Sequence, residues 1–352
     1  MSKIAEIIES KKHYDGSTLL ERMKECRTNA ISIALVENLE ICEVYTHGIK
    51  RRGKAEEVAP DTLFQAASIS KPVFAIGVMR LAERGILDID ADISEYLVGY
   101  EVPTFDGQKH KITLRQILSH NAGLNLHGFE GYQQGQEVPT VEQILNGACP
   151  SNHMKLKLMK KPETGHQYSG GGYVLVQKIV TDVCKQDFCE LMNDLVLSPF
   201  SMTHSTFSQP LPDDKMNEIA FGYNMHDLEL PGGYDIMPEL SAAGLWATPS
   251  DLAKLGIEIM QSLKGASVNL TKDTAKLLTT KTYENSHHGI GFGVGECKKG
   301  LTFWHSGHND GFISIMSFCP DDGSGIIAMI NSNIGGNIPF EVTNAFKEIY
   351  GW

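Results

Sequence analysis

The stretch QAASISKPVFAIG, residues 65–77, places Ser68 and Lys71 three positions apart at the start of an apolar, helix-forming run. Residues three apart on a helix are neighbours on its surface, so the Lys71 amine can reach the Ser68 hydroxyl. Ser70 is adjacent to Lys71 and points elsewhere. A cation is disfavoured at a helix N-terminus, because the helix dipole is positive there. One interpretation is a neutral lysine that acts as a base rather than as a surface charge.

A serine beside such a lysine is a candidate nucleophile. Serine is weakly nucleophilic at its free pKa and needs an adjacent base, which a lysine of lowered pKa supplies. The helix N-terminus also offers backbone N–H groups to a developing oxyanion. The alternative is an N-cap serine followed by a solvated lysine, and Ser-x-x-Lys arises about once by chance in a chain of this length. The motif alone does not decide between the two.

Two other stretches carry residues with chemical potential. HQYSGGGY places Tyr168 before a glycine-rich turn into a helix, and FWHSGHNDGF places His305, Ser306 and Gly307 where a predicted strand ends. Each also has a structural explanation, as a packed tyrosine with its hydroxyl at the surface or as an exposed polar strand end. His305 and His308 have a spacing that two metal ligands could share, but no carboxylate or third ligand accompanies them. We expect neither a metal nor a cofactor.

Composition and charge argue against several classes of protein. The chain has 352 residues, is 41% hydrophobic and 21% charged, and carries a formal net charge of -12. This acidic balance disfavours a nucleic-acid or anionic-membrane surface, since both need basic patches. No apolar run approaches the ~20 residues that span a bilayer, and the polar N-terminus lacks the apolar core of a secretory leader. We expect a cytoplasmic protein that binds neither nucleic acid nor membrane, and the sequence leaves its oligomeric state open.

Both ends of the chain are rich in β-forming runs, whereas the middle is mostly helical. Residues 30–36 and 41–48 predict a β-hairpin, and glycine-separated runs from about residue 289 predict an antiparallel meander. Residues 3–27 predict one amphipathic helix, and another helix closes the chain. We therefore expect an α/β (α+β) fold, in which an antiparallel sheet built from both chain ends and flanked by helices lies beside a mostly helical lobe.

The same pattern divides the chain into two lobes of a single domain, residues 1–352. The sheet lobe comprises residues 1–66 and 265–352, and the mostly helical lobe comprises residues 67–264 and partly returns to the sheet lobe. We expect the functional site between the lobes, where large concave pockets commonly form.

Six stretches, taken in chain order, resemble the serine β-lactamase and penicillin-binding-protein superfamily. The resemblance is to its class C β-lactamase-like branch, which also holds carboxylesterases, D-aminopeptidases and D-alanyl-D-alanine carboxypeptidases. It covers almost the whole chain and implies the β-lactamase/transpeptidase-like fold. The stretches are PDTLFQAASISK (60–71), ITLRQILSHNAGL (112–124), PETGHQYSGGGY (162–173), SPFSMTHSTF (198–207), SAAGLWATPSDLAKLG (241–256) and HSGHNDGF (305–312).

The resemblance implies a role for each residue that matches a family motif. Ser68 becomes the acylated nucleophile and Lys71 its activating partner. Tyr168 becomes the general acid/base, which exchanges a proton with the leaving group or the deacylating water. The backbone N–H groups of Ser68 and His308 would form the oxyanion hole.

Two positions depart from the usual family motifs. Gly170 stands where the second motif usually has asparagine, so this substrate-side position offers no side-chain amide. His305 stands where the third motif of β-lactamases has lysine, and with Ser306 and Gly307 it would form the strand edge beside the substrate. A permanent cation for a substrate carboxylate thus becomes a titratable one, charged below roughly pH 6.5 if its pKa is unperturbed. These departures put efficient β-lactam hydrolysis in doubt.

We expect a serine hydrolase that works through a covalent acyl-enzyme on a small ester, amide or D-amino-acid peptide. One alternative is a penicillin-binding D,D-peptidase or β-lactamase, against which the missing leader counts, because those substrates lie outside the membrane. Another is a catalytically silent protein that binds a ligand or assembles with partners, against which the intact Ser68, Lys71 and Tyr168 argue. The acyl specificity depends on loops, which the sequence does not resolve.

Overall fold

A six-stranded antiparallel sheet forms the centre of the computed structural model, which describes residues 2–284 and 286–352. Its strands are β1 (Ala30–Glu37), β2 (Glu40–Gly48), β5 (Gly293–Cys297), β6 (Gly300–Asn309), β7 (Phe312–Cys319) and β8 (Ser324–Ile330), with β3 (Phe64–Gln65) and β4 (Trp246–Ala247) in a separate pair. The strand order is β2-β1-β8-β7-β6-β5. β1 pairs with β2, and β5 to β8 pair in succession, which confirms the predicted hairpin and meander. The pairing of β1 with β8 joins the two ends of the chain and confirms the composite sheet.

Helices cover the sheet and fill the middle of the chain. They are α1 (Lys3–Glu9), α2 (Leu19–Glu25), α3 (Ser70–Glu83), α4 (Leu114–Leu118), α5 (Val141–Asn146), α6 (Gly170–Cys184), α7 (Phe188–Met192), α8 (Leu240–Ala243), α9 (Pro249–Leu263), α10 (Lys272–Thr279) and α11 (Ile338–Tyr350). The prediction of one helix over residues 3–27 is wrong. Asp15 and Gly16 have φ values of 52° and 88° between α1 and α2, and this left-handed turn breaks the helix.

The large sheet has a hydrophobic core on each face. Ile31, Ile33 and Leu35 of β1 pack with apolar residues of α1, α2 and α11. Ala34 and Val36 belong to the larger core on the opposite face, where α9 packs against β1 and β8. Successive side chains of a strand point to opposite faces, so the near-continuous apolar run of β1 serves both cores.

Strand β6 is bordered differently along its length. In the described part of the chain β5 pairs with it only up to Trp304, so the following residues are bordered by β7 alone. His305 lies opposite Met316 of the larger core, and alternation gives Gly307 the same face. His308 lies opposite Ile313, which belongs to the core beneath α11. The register thus turns His305 and Gly307 toward the helical part of the molecule.

Within residues 2–284 and 286–352, no helix combines the length and apolar character needed to cross a bilayer.

Candidate active site

Ser68 lies in a short 3-10 turn, Ala67–Ile69, between β3 and α3. Ala67, just before it, has a φ of 49°, a left-handed conformation that costs a non-glycine residue free energy. Ser70 secures this turn, because its hydroxyl donates to the Ala67 carbonyl at 2.6 Å and accepts the N–H of Leu245 at 2.9 Å. Ser70 is therefore structural, as its position beside Lys71 indicated, while Ser68 stays partly exposed.

Lys71 lies behind Ser68 on the first turn of α3 and is only 1% exposed. Its Nζ lies 3.0 Å from Ser68 Oγ and donates to the carbonyl of Ala242 at 2.8 Å. Burial lowers the pKa of this amine to about 7, because a low-dielectric environment disfavours the charged form. A neutral Lys71 can donate one N–H to Ala242 and direct its lone pair at the Ser68 hydroxyl. The geometry allows Lys71 to act as a base toward the Ser68 hydroxyl.

Tyr168 precedes α6 and covers the lysine. Its ring centroid lies 5.0 Å from Lys71 Nζ. Burial raises the pKa of Tyr168 above its ordinary value, and a hydrogen bond with the Ser68 side chain acts in the opposite direction. The start of α6 is fixed by Ser169, whose hydroxyl accepts the N–H of Gly172 at 2.9 Å. A phenol kept protonated in this position can donate a proton toward groups bound at Ser68.

Tyr168 is flanked by two histidines to which the sequence assigned no role. The ring of His120 stacks on Tyr168 at 4.2 Å, and that of His127 is tilted against it at 4.7 Å. His120 Nδ1 accepts the N–H of Ser169 at 3.1 Å, so this histidine fixes the backbone beside the tyrosine. Burial is the main cause that holds the His120 pKa well below its ordinary value. His120 lies in the ITLRQILSHNAGL stretch, and its place in that motif was the available indication.

The His305 imidazole does not keep an ordinary pKa in this site, and an ordinary pKa was the condition for the expected charge below roughly pH 6.5. The side chain is 4% exposed, and its Nδ1–H donates to the Ser306 carbonyl at 2.7 Å. Burial, with smaller contributions from Lys71 and His288, lowers the His305 pKa to about 3. Its ring centroid lies 6.2 Å from that of Tyr168. At neutral pH this residue adds no cation where the family's β-lactamases have lysine.

Gly307 lets β6 dock directly onto the nucleophile turn. A Cβ atom built on Gly307 would lie 2.2 Å from the Ala66 carbonyl oxygen and 2.5 Å from Ser314 Oγ. The same carbonyl accepts the Ser314 hydroxyl at 2.8 Å, which ties β7 to the segment before Ser68. Only glycine allows this approach, so the sheet and the nucleophile helix meet at a fixed distance.

An open cleft of about 1170 Å³ brings most of the predicted site residues together. In the described part of the chain it is lined by Ser68, Tyr168, His305, Ser306, Gly307 and His308, among others. Lys71 lies behind Ser68. Gly170 does not reach the cleft lining: a Cβ atom there would lie 2.7 Å from Phe129 Cε2, so the aromatic ring covers this position. The expectation that Gly170 contacts substrate is therefore not supported by its placement.

Comparison with known proteins gives one family and one fold. The family model Beta-lactamase matches residues 17–342. "Protein flp" of Staphylococcus aureus (strain N315) is 25% identical over 317 residues, which are 86% of this chain and 59% of that protein. The chain thus spans about three fifths of the length of this curated relative.

Two solved structures have the same fold at low sequence identity. The octameric penicillin-binding protein homologue from Pyrococcus abyssi superposes with a TM-score of 0.78 at 20% identity, over 95% of this chain and 76% of that one. The D-amino acid amidase from Ochrobactrum anthropi SV3, in complex with L-phenylalanine amide, gives a TM-score of 0.75 at 20% identity, over 99% of both chains. At these identities the likeness establishes the fold alone.

Proposed function

Because the chain belongs to the Beta-lactamase family and has the fold of its hydrolases, we propose that it is a serine hydrolase acting through a covalent acyl-enzyme at Ser68. Its substrate would be a small ester, amide or D-amino-acid peptide. One observation carries the proposal: a buried lysine whose Nζ lies 3.0 Å from the Ser68 hydroxyl, at the edge of an open cleft. A solvated lysine beside an N-cap serine would instead be exposed to water and would keep its positive charge.

The acylation step uses three side chains. Neutral Lys71 accepts the Ser68 proton as the Oγ–carbon bond forms, and the carbonyl oxygen becomes an oxyanion. The N–H groups of Ser68 and His308 would stabilise that oxyanion. Tyr168 donates its proton to the departing nitrogen or oxygen as the carbon–leaving-group bond breaks, and Lys71 returns a proton to Tyr168. No net proton is gained or lost by the enzyme.

Deacylation reverses the proton path. Neutral Lys71 takes the phenol proton of Tyr168, and the phenolate takes a proton from the water that attacks the acyl carbon. Protonated Lys71 then gives its proton to Ser68 Oγ as the acid product leaves. The phenol must give up a proton only transiently, since burial holds its pKa high. Protonated Lys71, 5.0 Å from the ring centroid, stabilises the phenolate at that moment.

The activity of one structural neighbour favours an amide of an amino acid as the substrate. The Ochrobactrum protein is a D-amino acid amidase, described in complex with an amino-acid amide. The D,D-peptidase and β-lactamase alternatives need a site for a substrate carboxylate, and the neutral His305 offers no charge for it. We therefore place these activities second.

Labelling with a fluorophosphonate tests the acyl-enzyme proposal. Intact mass spectrometry of the wild type should show one adduct, which peptide mapping places on Ser68, and Ser68→Ala should show none. Ser250→Ala, in α9 and outside the cleft lining, is the control and should label fully. A panel of short-chain esters, D-aminoacyl amides and cephalosporins then ranks the substrates. A wild type that takes no label and turns over nothing would favour the catalytically silent alternative.

A further inference from the structure

The charged side chains that line the cleft are of one sign. Three carboxylates, Glu130, Asp235 and Asp310, reach its surface, and in the described part of the chain no lysine or arginine does. The cleft also contains imidazoles, all with pKa values lowered mainly by burial: His127, His288, His305 and His308. At neutral pH the described cleft surface that meets a substrate therefore carries a net negative charge.

Asp235 is the most deeply placed of these carboxylates. It is 8% exposed, and its Oδ1 is buried without a hydrogen-bond partner among the described residues. An unpaired buried carboxylate is costly, and the cost falls when a cation or donor arrives. Burial and the neighbouring Asp310 charge raise the Asp235 pKa to about 6. The group is thus ready to accept a hydrogen-bond donor that also carries positive charge.

The backbone around Asp235 is fixed to the catalytic elements. Its carbonyl accepts the Gln65 amide at 2.9 Å, and the Gln65 side-chain oxygen accepts the Asn309 amide at 2.7 Å. Gln65 lies three residues before Ser68, and Asn309 ends β6. This chain of hydrogen bonds holds Asp235 at a constant position relative to the nucleophile and the strand edge. A charge so anchored can orient a substrate rather than merely attract it.

We propose that Asp235 binds an ammonium group of the substrate, so that this enzyme acts on esters or amides that carry a free amine. An ammonium offers three donors and a full charge, which match the unpaired Asp235 oxygen and the adjacent Asp310. A substrate carboxylate would instead meet like charges, and in the described part of the chain no lysine or arginine lines the cleft, so its binding is disfavoured. The inference rests on the proposed function, since it places the amine in the cleft that contains Ser68.

Three matched substrates test this assignment: D-alanine p-nitroanilide, its N-acetyl derivative and its N-succinyl derivative. The first carries an ammonium, the second is neutral and the third carries a carboxylate. In the wild type kcat/KM should fall in that order, with about tenfold or more between the first two, equivalent to about 1.4 kcal/mol. Asp235→Asn keeps the side-chain shape and should bring the first two values close together. Asp214→Asn, exposed and outside the cleft, should keep the wild-type ratio.

The outcomes separate the two proposals. If the wild type hydrolyses all three substrates with equal kcat/KM, or the N-succinyl one best, the ammonium site is wrong while the Ser68 mechanism stands. An unchanged ratio in Asp235→Asn also overturns the assignment.

A binding measurement covers the case in which no p-nitroanilide is cleaved or Asp235→Asn does not fold. Ser68→Ala, with Asp235 intact, is titrated by calorimetry with D-alanine amide and with propionamide, which lacks only the amine. The amine-bearing ligand should bind at least tenfold more tightly. Equal or undetectable binding of the pair overturns the ammonium site, whereas a wild type that takes no fluorophosphonate label and turns over no substrate overturns the proposed function.

Discussion

Burial decides the charge of the residues around Ser68. Lys71 and His305 are both basic by type, yet their pKa values fall to about 7 and about 3 because the protein removes them from water. The first shift produces a base that is neutral near physiological pH. The second removes a charge at the place where a lysine would hold a substrate carboxylate. The same physical cause thus favours the proposed chemistry at Ser68 and disfavours a substrate carboxylate beside His305.

Removal of either member of the Ser68–Lys71 pair should abolish turnover. We expect Ser68→Ala to retain less than about a per cent of the wild-type kcat/KM, as in other nucleophile deletions. Lys71→Ala should be nearly as damaging, and the double variant no worse than either, because the two groups act as a unit. Steady-state kinetics on a p-nitrophenyl ester measures all three variants. Additive losses would show that Lys71 acts apart from Ser68.

The pH dependence should report Lys71. The amine is a base only when unprotonated, so kcat/KM for a neutral ester should rise as pH increases through about 7 and then level off. His305→Lys adds a charge near this amine and should move the rise to lower pH, because a like charge disfavours protonation. His305→Gln should leave the midpoint close to the wild type. If the midpoint of the pH profile does not move to lower pH in His305→Lys, Lys71 is not the base.

Tyr168→Phe should separate binding from proton transfer. The ring that stacks on His120 remains, and only the hydroxyl is lost. We expect KM to change little and kcat to fall by roughly 10²–10⁴-fold, the range for a lost general acid or base. An unchanged kcat with a raised KM would mark the hydroxyl as a substrate contact only.

At the scale of elements, the site depends on how β6 meets the turn before α3. The free edge of β6 begins after Trp304, where β5 stops pairing, and Gly307 brings that edge against Ala66. Neither the nucleophile turn nor the strand forms a cleft alone. The contact between them sets the width of the cleft and the distance between the two proposed oxyanion donors.

Gly307→Ala should therefore damage both activity and stability. Its Cβ would lie 2.2 Å from the Ala66 carbonyl, so the strand must move away from the nucleophile turn. We expect a loss of about 1–3 kcal/mol in the free energy of unfolding, typical of overpacking, and a large fall in kcat. Gly295→Ala on β5 is the matched control, because the nearest atom to its Cβ is Thr302 Oγ1 at 3.4 Å. Urea denaturation and ester hydrolysis check both, and equal behaviour of the pair would refute the close contact.

At the scale of the whole molecule, one buried acid should make stability fall with pH. Glu239 is fully buried, both its carboxylate oxygens lack hydrogen-bond partners among the described residues, and burial raises its pKa to about 8. Its pKa in the unfolded chain is near the ordinary 4.5. A group whose pKa is raised on folding contributes stability below the unfolded value and loses it as pH rises through the folded value.

We expect the stability of Glu239→Gln, measured relative to that of the wild type, to be greater at pH 8 than at pH 5. The substitution removes the charge that must be buried above the folded pKa. Thermal unfolding of both proteins at the two pH values measures the difference, and Glu95→Gln, an exposed glutamate, is the control. A wild-type-to-variant difference in Tm that is the same at both pH values would show that Glu239 does not titrate between them.

The sequence by itself determined the strands of the large sheet, its assembly from both chain ends and the short list of residues around Ser68, but not the β3–β4 pair. Alternating and continuous apolar runs predict strands with one or both faces buried. Ser68 and Lys71 are close because residues three apart are neighbours on a helix. The family motifs extended that list to Tyr168 and His305. The division into lobes at residues 66 and 265 stays a prediction.

Only the tertiary structure decided which side chains are charged and which of them meet. Asp235 carries no motif that predicts a role, and His120 lies in a family stretch that assigned it none; the fold brings Asp235 to the cleft and His120 onto the Tyr168 ring. Gly170 follows Tyr168 by two residues yet lies beneath Phe129. Desolvation and cleft lining arise from contacts between residues far apart in the chain, and local sequence does not encode such contacts. The sequence therefore could not show that burial lowers the pKa of His305.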